Sequence, residues 1–220
     1  MNGTMDPTVT LINEELTRRY EQALAQLPRL PAGVSEPHLI QVPPTYALAS
    51  TRLMVVGQQT KGWGDPPYVG SVQLLMAGYA SFDLGNGYRR SPLWMAAHKL
   101  HRALNPEGPE RAFLWSNLVK VDQKGERPTP EVEEMAARLG LIQMEIELTK
   151  PDVVIFFTGP DYDDRLKATF PSVRFVDAGR LIHRLEHPHL PTRSFRTYHP
   201  KHLRLSRNWS VLTELIALAR

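Results

Sequence analysis

Asp152-Val153-Val154-Ile155-Phe156-Phe157 is the stretch that decides the fold. Its five consecutive β-branched or aromatic residues lie between Lys150-Pro151 and Thr158-Gly159-Pro160, a run too short for a helix and without a polar face. Such a run reads as a strand buried on both sides, which belongs in a parallel sheet covered by helices. Upstream, Thr129-Pro130 opens a helical pattern with Glu131, Glu133 and Glu134 in its first turns and an apolar stripe of Val132, Met135, Leu139, Ile142 and Ile146. The spacing predicts one long helix ending at Lys150-Pro151.

Working outward, Leu53-Met54-Val55-Val56 predicts a strand that stops at Gly57, residues 111–115 a second, and 173–176 and 195–198 two more. Helical spacing recurs over 8–27, through Leu11, Ile12, Leu16, Tyr20, Leu24 and Leu27, and over 91–104, where Ser91-Pro92 supplies an N-cap and first-turn proline. On the latter helix Trp94, Ala97, His101 and Leu104 face inward, Trp94 as core rather than as a stacking surface. A helical turn is expected over 71–76, a loop over 82–88, and a C-terminal helix from about Ser206 carrying Trp209, Leu212, Leu215 and Ala219. Strands alternating with helices predict an α/β fold, a three-layer α/β/α sandwich with a mostly parallel central sheet. The expected organisation is a helix and proline-rich arm over 1–52, the arm from 28 to 44 wrapping the surface, packed on an α/β domain over 53–220.

At 220 residues, 42% hydrophobic and 22% charged, the composition is that of one globular domain. No apolar run approaches the roughly 20 residues that cross a bilayer, so no membrane association is expected. The first residues lack a basic stretch followed by an apolar one, so no signal peptide is expected and the cytoplasm is the expected location. With no cysteine, disulfides, zinc thiolate sites and thiolate-held iron–sulfur clusters are excluded. The net charge is only +3, but Arg180, Arg184, Arg193, Arg196, Lys201, Arg204 and Arg207, with five histidines, face Glu186 alone between 180 and 207. Such a patch attracts a polyanion, and DNA is the expected partner. A monomer is expected, with no obligate protein partner, no cofactor and no metal.

The chemistry-bearing residues follow the strands. Gln58-Gln59 follow Gly57, Ser116-Asn117 follow the second strand, Thr158-Gly159 the third, and His199-Pro200 the last, so the loops after Gly57, Ser116, Gly159 and Tyr198 are expected to converge on one edge of the sheet. A nucleobase flipped to that edge needs a donor facing its oxygen as the base–sugar bond breaks, and a polar group holding a water near the sugar. His199 can supply the donor. Asn117 offers donor and acceptor to a base edge, Tyr68 a stacking face, and Gln58 or Gln59 a position for water, although an amide cannot accept its proton.

These blocks resemble, in order, the motifs of the uracil-DNA glycosylase superfamily. Val55-Val56-Gly57-Gln58-Gln59 is similar to a first motif that places a water-activating residue, and Pro67-Tyr68-Val69-Gly70 to a segment whose aromatic stacks on the base. Leu114-Trp115-Ser116-Asn117-Leu118-Val119-Lys120 with Arg127-Pro128-Thr129-Pro130-Glu131 is similar to the middle motif whose asparagine reads the base. Thr197-Tyr198-His199-Pro200 is similar to a final motif that stabilises the leaving base and opens a DNA-intercalating loop. The resemblance spans about 53–205 and implies a monofunctional DNA glycosylase of base excision.

The sequence departs from the pattern at two places. Glutamine stands where the family carries Asp, Glu or Asn, with Asp65 and Asp161 as substitute carboxylates, and Lys201-His202 replaces a small residue after His-Pro. These departures point beyond ordinary uracil to a damaged or modified base, including one of foreign DNA such as a bacteriophage's. Arg193, Arg196, Lys201, Arg204 and Arg207 are expected on phosphates. Two other readings stand beside this one: a base reader that does not cut, and a metal-dependent hydrolase built on His187, His189, His199 and His202.

Overall fold

Among the described residues six strands form one sheet in the order β2-β1-β3-β6-β5-β4. They are β1 (Leu53–Gln59), β2 (Phe113–Val119), β3 (Val153–Phe156), β4 (Arg174–Gly179), β5 (Ile182–Glu186) and β6 (Arg193–Thr197). The structure, a computed structural model, describes residues 7–27, 30–64 and 71–220. β2, β1, β3 and β6 run parallel, and β5 and β4 extend that sheet antiparallel. β3 is buried throughout and sits between β1 and β6, which is why its sequence has no polar face.

Among the described residues eight α-helices flank the sheet: α1 (Pro7–Leu24), α2 (Val72–Phe82), α3 (Pro92–Leu104), α4 (Pro130–Ala137), α5 (Leu141–Thr149), α6 (Asp163–Thr169), α7 (Pro200–Leu205) and α8 (Val211–Ala219). α1 packs with α2 and α5, whereas α3 packs with α7 and α8. The result is the expected three-layer α/β/α arrangement with a mostly parallel sheet. No helix of the described residues is long and apolar enough to cross a membrane.

Several elements differ from the sequence reading. The single helix expected from Pro130 is two, because Gly140 adopts φ 62°, a left-handed conformation that ends α4 and starts α5. α2 continues to Phe82 where only a turn was expected, and the segment after it forms 3₁₀ turns, Asp83–Tyr88, rather than open loop. α7 precedes the expected C-terminal helix: Pro200 occupies its first turn and the His199 ring caps it. The β4–β5 hairpin exceeds the one short strand expected, because His183 and Arg184 interrupt the apolar pattern while Ile182 and Leu185 still turn inward. In α1 the buried stripe is Val9, Leu16 and Tyr20, and Leu11 is exposed.

The arm is threaded inward rather than laid on the surface, with residues 34–40 buried. Ser35 N–H donates to Asp122 O and His38 N–H to Lys120 O, both at 2.8 Å, and Val34 forms an isolated bridge with Gln123. β2 is an edge strand, and the chain leaving it would present unpaired backbone groups; the arm satisfies them. Beneath this junction lies a buried polar cluster. Lys120 Nζ donates to both Glu145 oxygens at 2.5 and 2.6 Å, and Ser116 Oγ and the Tyr20 hydroxyl each donate to Glu145 at 2.7 Å. Helices α1 and α5 and the end of β2 are thereby fixed to one another.

Candidate active site

β1 has β2 on one side and β3 on the other, so the connections leaving it diverge and open a crevice at its carboxyl end. A cleft of about 660 Å³ occupies that position. Gly57 to Trp63 line it from the end of β1 and the loop after it, Trp115 and Asn117 from β2, Gly125 and Glu126 from the turn beyond β2, Phe82, Tyr88, Ser91, Leu93 and Trp94 from the α2–α3 region, and His199 and Lys201 from the start of α7. Residues from three of the four expected loops therefore meet. The fourth buttresses them: Thr158 O accepts the Gln58 Nε2 donor at 2.8 Å, and the Tyr162 hydroxyl donates to Gln59 Oε1.

Asn117 is placed by Gly57. The two are register partners in the parallel β1–β2 pair, and a Cβ on residue 57 would lie 2.4 Å from Asn117 Oδ1. Only glycine leaves the amide that space. Asn117 Nδ2 is buried with no hydrogen-bond partner, and so is Trp115 Nε1. Two buried donors on one pocket floor are costly unless a ligand or water accepts from them.

His199 is set by its own helix. Its Nδ1 accepts the Lys201 backbone N–H at 3.2 Å, capping α7. Burial, and then the charge of Lys201, lower the ring's pKa from 6.5 to about 4. At neutral pH the ring is uncharged with its proton on Nε2, so it is a hydrogen-bond donor. Gln58, with Nε2 held by Thr158 O, offers its Oε1 as acceptor.

The wall is aromatic. Trp63, Phe82, Trp94 and Trp115 meet with ring centroids 5.0–5.6 Å apart, and Tyr88 stacks on Phe82 at 5.6 Å. Trp94 is core, as expected, and also pocket wall. Tyr88 is 62% exposed at the rim, a stacking surface the sequence reading did not single out. Glu126 was also missed, because nothing in Lys124-Gly125-Glu126 resembles a motif.

Other expected site residues fall elsewhere. Tyr68 and Asp65 lie outside the described residues. Asp161 is exposed, does not line the cleft, and its carbonyl accepts from Arg127. Arg193 donates to Ala219 O and Arg220 O at the end of α8, and Arg196 is buried, paired with Asp163 at 2.7 Å. Both long side chains reach across to helices, and their guanidinium groups are taken up internally. Lys201, Arg204 and Arg207 remain exposed on and just after α7, with Leu205, 74% exposed, among them. His187 and His189 lie together, but among the described residues no three His, Cys, Asp or Glu side chains are grouped to hold a metal. No family model and no curated protein matches the chain.

Proposed function

We propose that this protein is a DNA glycosylase that hydrolyses the bond between a flipped base and its sugar. The observation that carries the reading is the convergence of three donors, Asn117 Nδ2, Trp115 Nε1 and neutral His199 Nε2, in an aromatic-walled cleft at the sheet's carboxyl end. A planar base bearing carbonyl oxygens is the ligand whose acceptors match those donors and whose faces match the walls. The ordered resemblance to the uracil-DNA glycosylase superfamily adds weight.

In this reading the base enters against Tyr88 and the tryptophans, and Asn117 fixes its edge. As the bond breaks, its electron pair moves onto the base, and His199 Nε2–H donates to the oxygen that gains charge. A neutral donor suits this task without carrying a cation into a buried site. Gln58 Oε1 holds the water that attacks the sugar carbon. Lys201, Arg204 and Arg207 take phosphates, and the exposed Leu205 between them inserts into the stack the base has left. A cleft of about 660 Å³ has room beyond an unmodified pyrimidine ring, which favours a base carrying a substituent, such as a modified base of foreign DNA.

The test is release of free base from duplex and single-stranded DNA carrying uracil, hypoxanthine, damaged bases or bulky phage-type bases. Release of one class, lost in His199→Ala, supports the proposal. Salt-sensitive DNA binding without release from any substrate would instead favour the base reader, which glutamine at the water position suits.

A further inference from the structure

We infer that Glu126 is the general base of this site, taking the proton that Gln58 cannot accept from the attacking water. The inference rests on the glycosylase reading. Among the described residues that line the cleft, Glu126 is the sole carboxylate. The nearby acids are otherwise engaged: Asp122 is buried and accepts from Thr60 Oγ1, Trp63 N–H and Gly125 N–H, Asp163 pairs with Arg196, and Glu133 pairs with Arg127 and Arg165. Glu126 is exposed where it lines the cleft, and among the described residues its side chain has no ion-pair or hydrogen-bond partner.

Its backbone is rigid, as a group meant to meet a water must be. Gln123 and Glu126 exchange two hydrogen bonds of 3.1 Å around Lys124 (φ 55°) and Gly125 (φ 78°), a tight two-residue hairpin turn with both central residues left-handed. Asp122 stitches that turn to the β1 loop, since Oδ1 accepts from Gly125 at 2.7 Å while Oδ2 accepts from Thr60 at 2.8 Å. The buried arm braces it from behind, through Lys124 N–H on Gly33 O and Ser35 on Asp122. The turn with the carboxylate and the loop with Gln58 are thus held as one piece across the cleft.

The step balances. The C1′–N bond breaks and its electrons leave with the base, where His199 stabilises them. The water oxygen forms the new C1′–O bond, and its proton passes to the Glu126 carboxylate. Lining the cleft with Glu126 are Lys61 from the loop after β1, Tyr88, and His199 and Lys201 from the start of α7, with Lys124 and Arg127 close to it in the chain.

The experiment is single-turnover base release across pH 4–9, on the substrate the wild type processes best. Glu126→Gln should lower the rate by about 100-fold, leave DNA affinity unchanged and abolish the acid limb of the rate profile. Adding Gln58→Glu to Glu126→Gln should restore at least about tenfold, by placing a carboxylate where the water is held. Glu147→Gln, an exposed change on α5, should alter nothing. A folded Glu126→Gln protein with near wild-type rate and an intact acid limb would overturn this inference alone. Absence of release by the wild type from every substrate would overturn the glycosylase reading and this inference with it.

Discussion

Gly57→Ala places the smallest possible side chain where the site has no space. The added Cβ would stand 2.4 Å from Asn117 Oδ1, against a practical limit of 3.0 Å, so the amide must retreat by at least about 0.6 Å or the strands must part. Both neighbours are buried in parallel strands, and relief through the backbone is restricted. A shift approaching 1 Å in a positioning group costs about 100-fold in rate, so a loss of roughly 10- to 100-fold in base release is expected, with an overpacking penalty of about 1–3 kcal/mol. Single-turnover release and urea unfolding measure the two. The decisive control is Asn117→Ala, which removes the clashing oxygen: in that background the added methyl should have little further effect on rate. A Gly57→Ala protein as active as wild type, or an equal penalty in both backgrounds, would refute the claim that Gly57 exists to seat Asn117.

Three further outcomes are expected. Lys120→Met strands the Glu145 carboxylate in the interior and should destabilise by about 3–5 kcal/mol in urea unfolding, whereas Lys120→Met with Glu145→Leu should recover most of it. His38 is fully buried against Trp63, Tyr79 and Trp115, both ring nitrogens lack partners, and burial followed by Lys120 holds its pKa well below 6.5. The folded state therefore refuses a proton that the unfolded chain accepts, so stability is full above pH 6.5 and falls below it by up to about 1.4 kcal/mol per pH unit; His38→Phe should flatten that slope in denaturation series between pH 7.5 and 5. Lys201→Ala with Arg204→Ala should weaken DNA binding and reduce its salt slope by about 2, while Arg193→Ala should lower stability and leave the slope unchanged, as titrations at several salt concentrations will show.

The parallel sheet was legible because β3 and β1 carry unbroken apolar runs, a pattern that needs no tertiary information. Part of the site was legible for the same reason: Gly57 and Asn117 sit where the apolar runs of β1 and β2 meet polar residues, whereas His199 was legible only as the His-Pro pair after the last strand. Other features depend on contacts that a linear pattern does not record. Gly140 breaks a helix whose apolar stripe continues across it. The arm is buried because the end of β2 leaves backbone groups to satisfy and because Val34, Leu39, Ile40 and Val42 join the core, although prolines interrupt any apolar period. Arg193 and Arg196 have the composition of a phosphate-binding patch, yet their partners are the end of α8 and Asp163. Glu126 and Tyr88 join the cleft through turn geometry, and only the assembled fold brings them beside Asn117 and His199.

The most direct measurement of the central claim is base release from modified-base DNA by wild type, His199→Ala and Asn117→Ala, with abasic sites detected by alkaline cleavage. The account predicts release of one class of base by the wild type and a loss of about 100-fold or more in each variant, with all three proteins folded and binding DNA. Equal release by the variants, or DNA binding without release from any substrate, would contradict it.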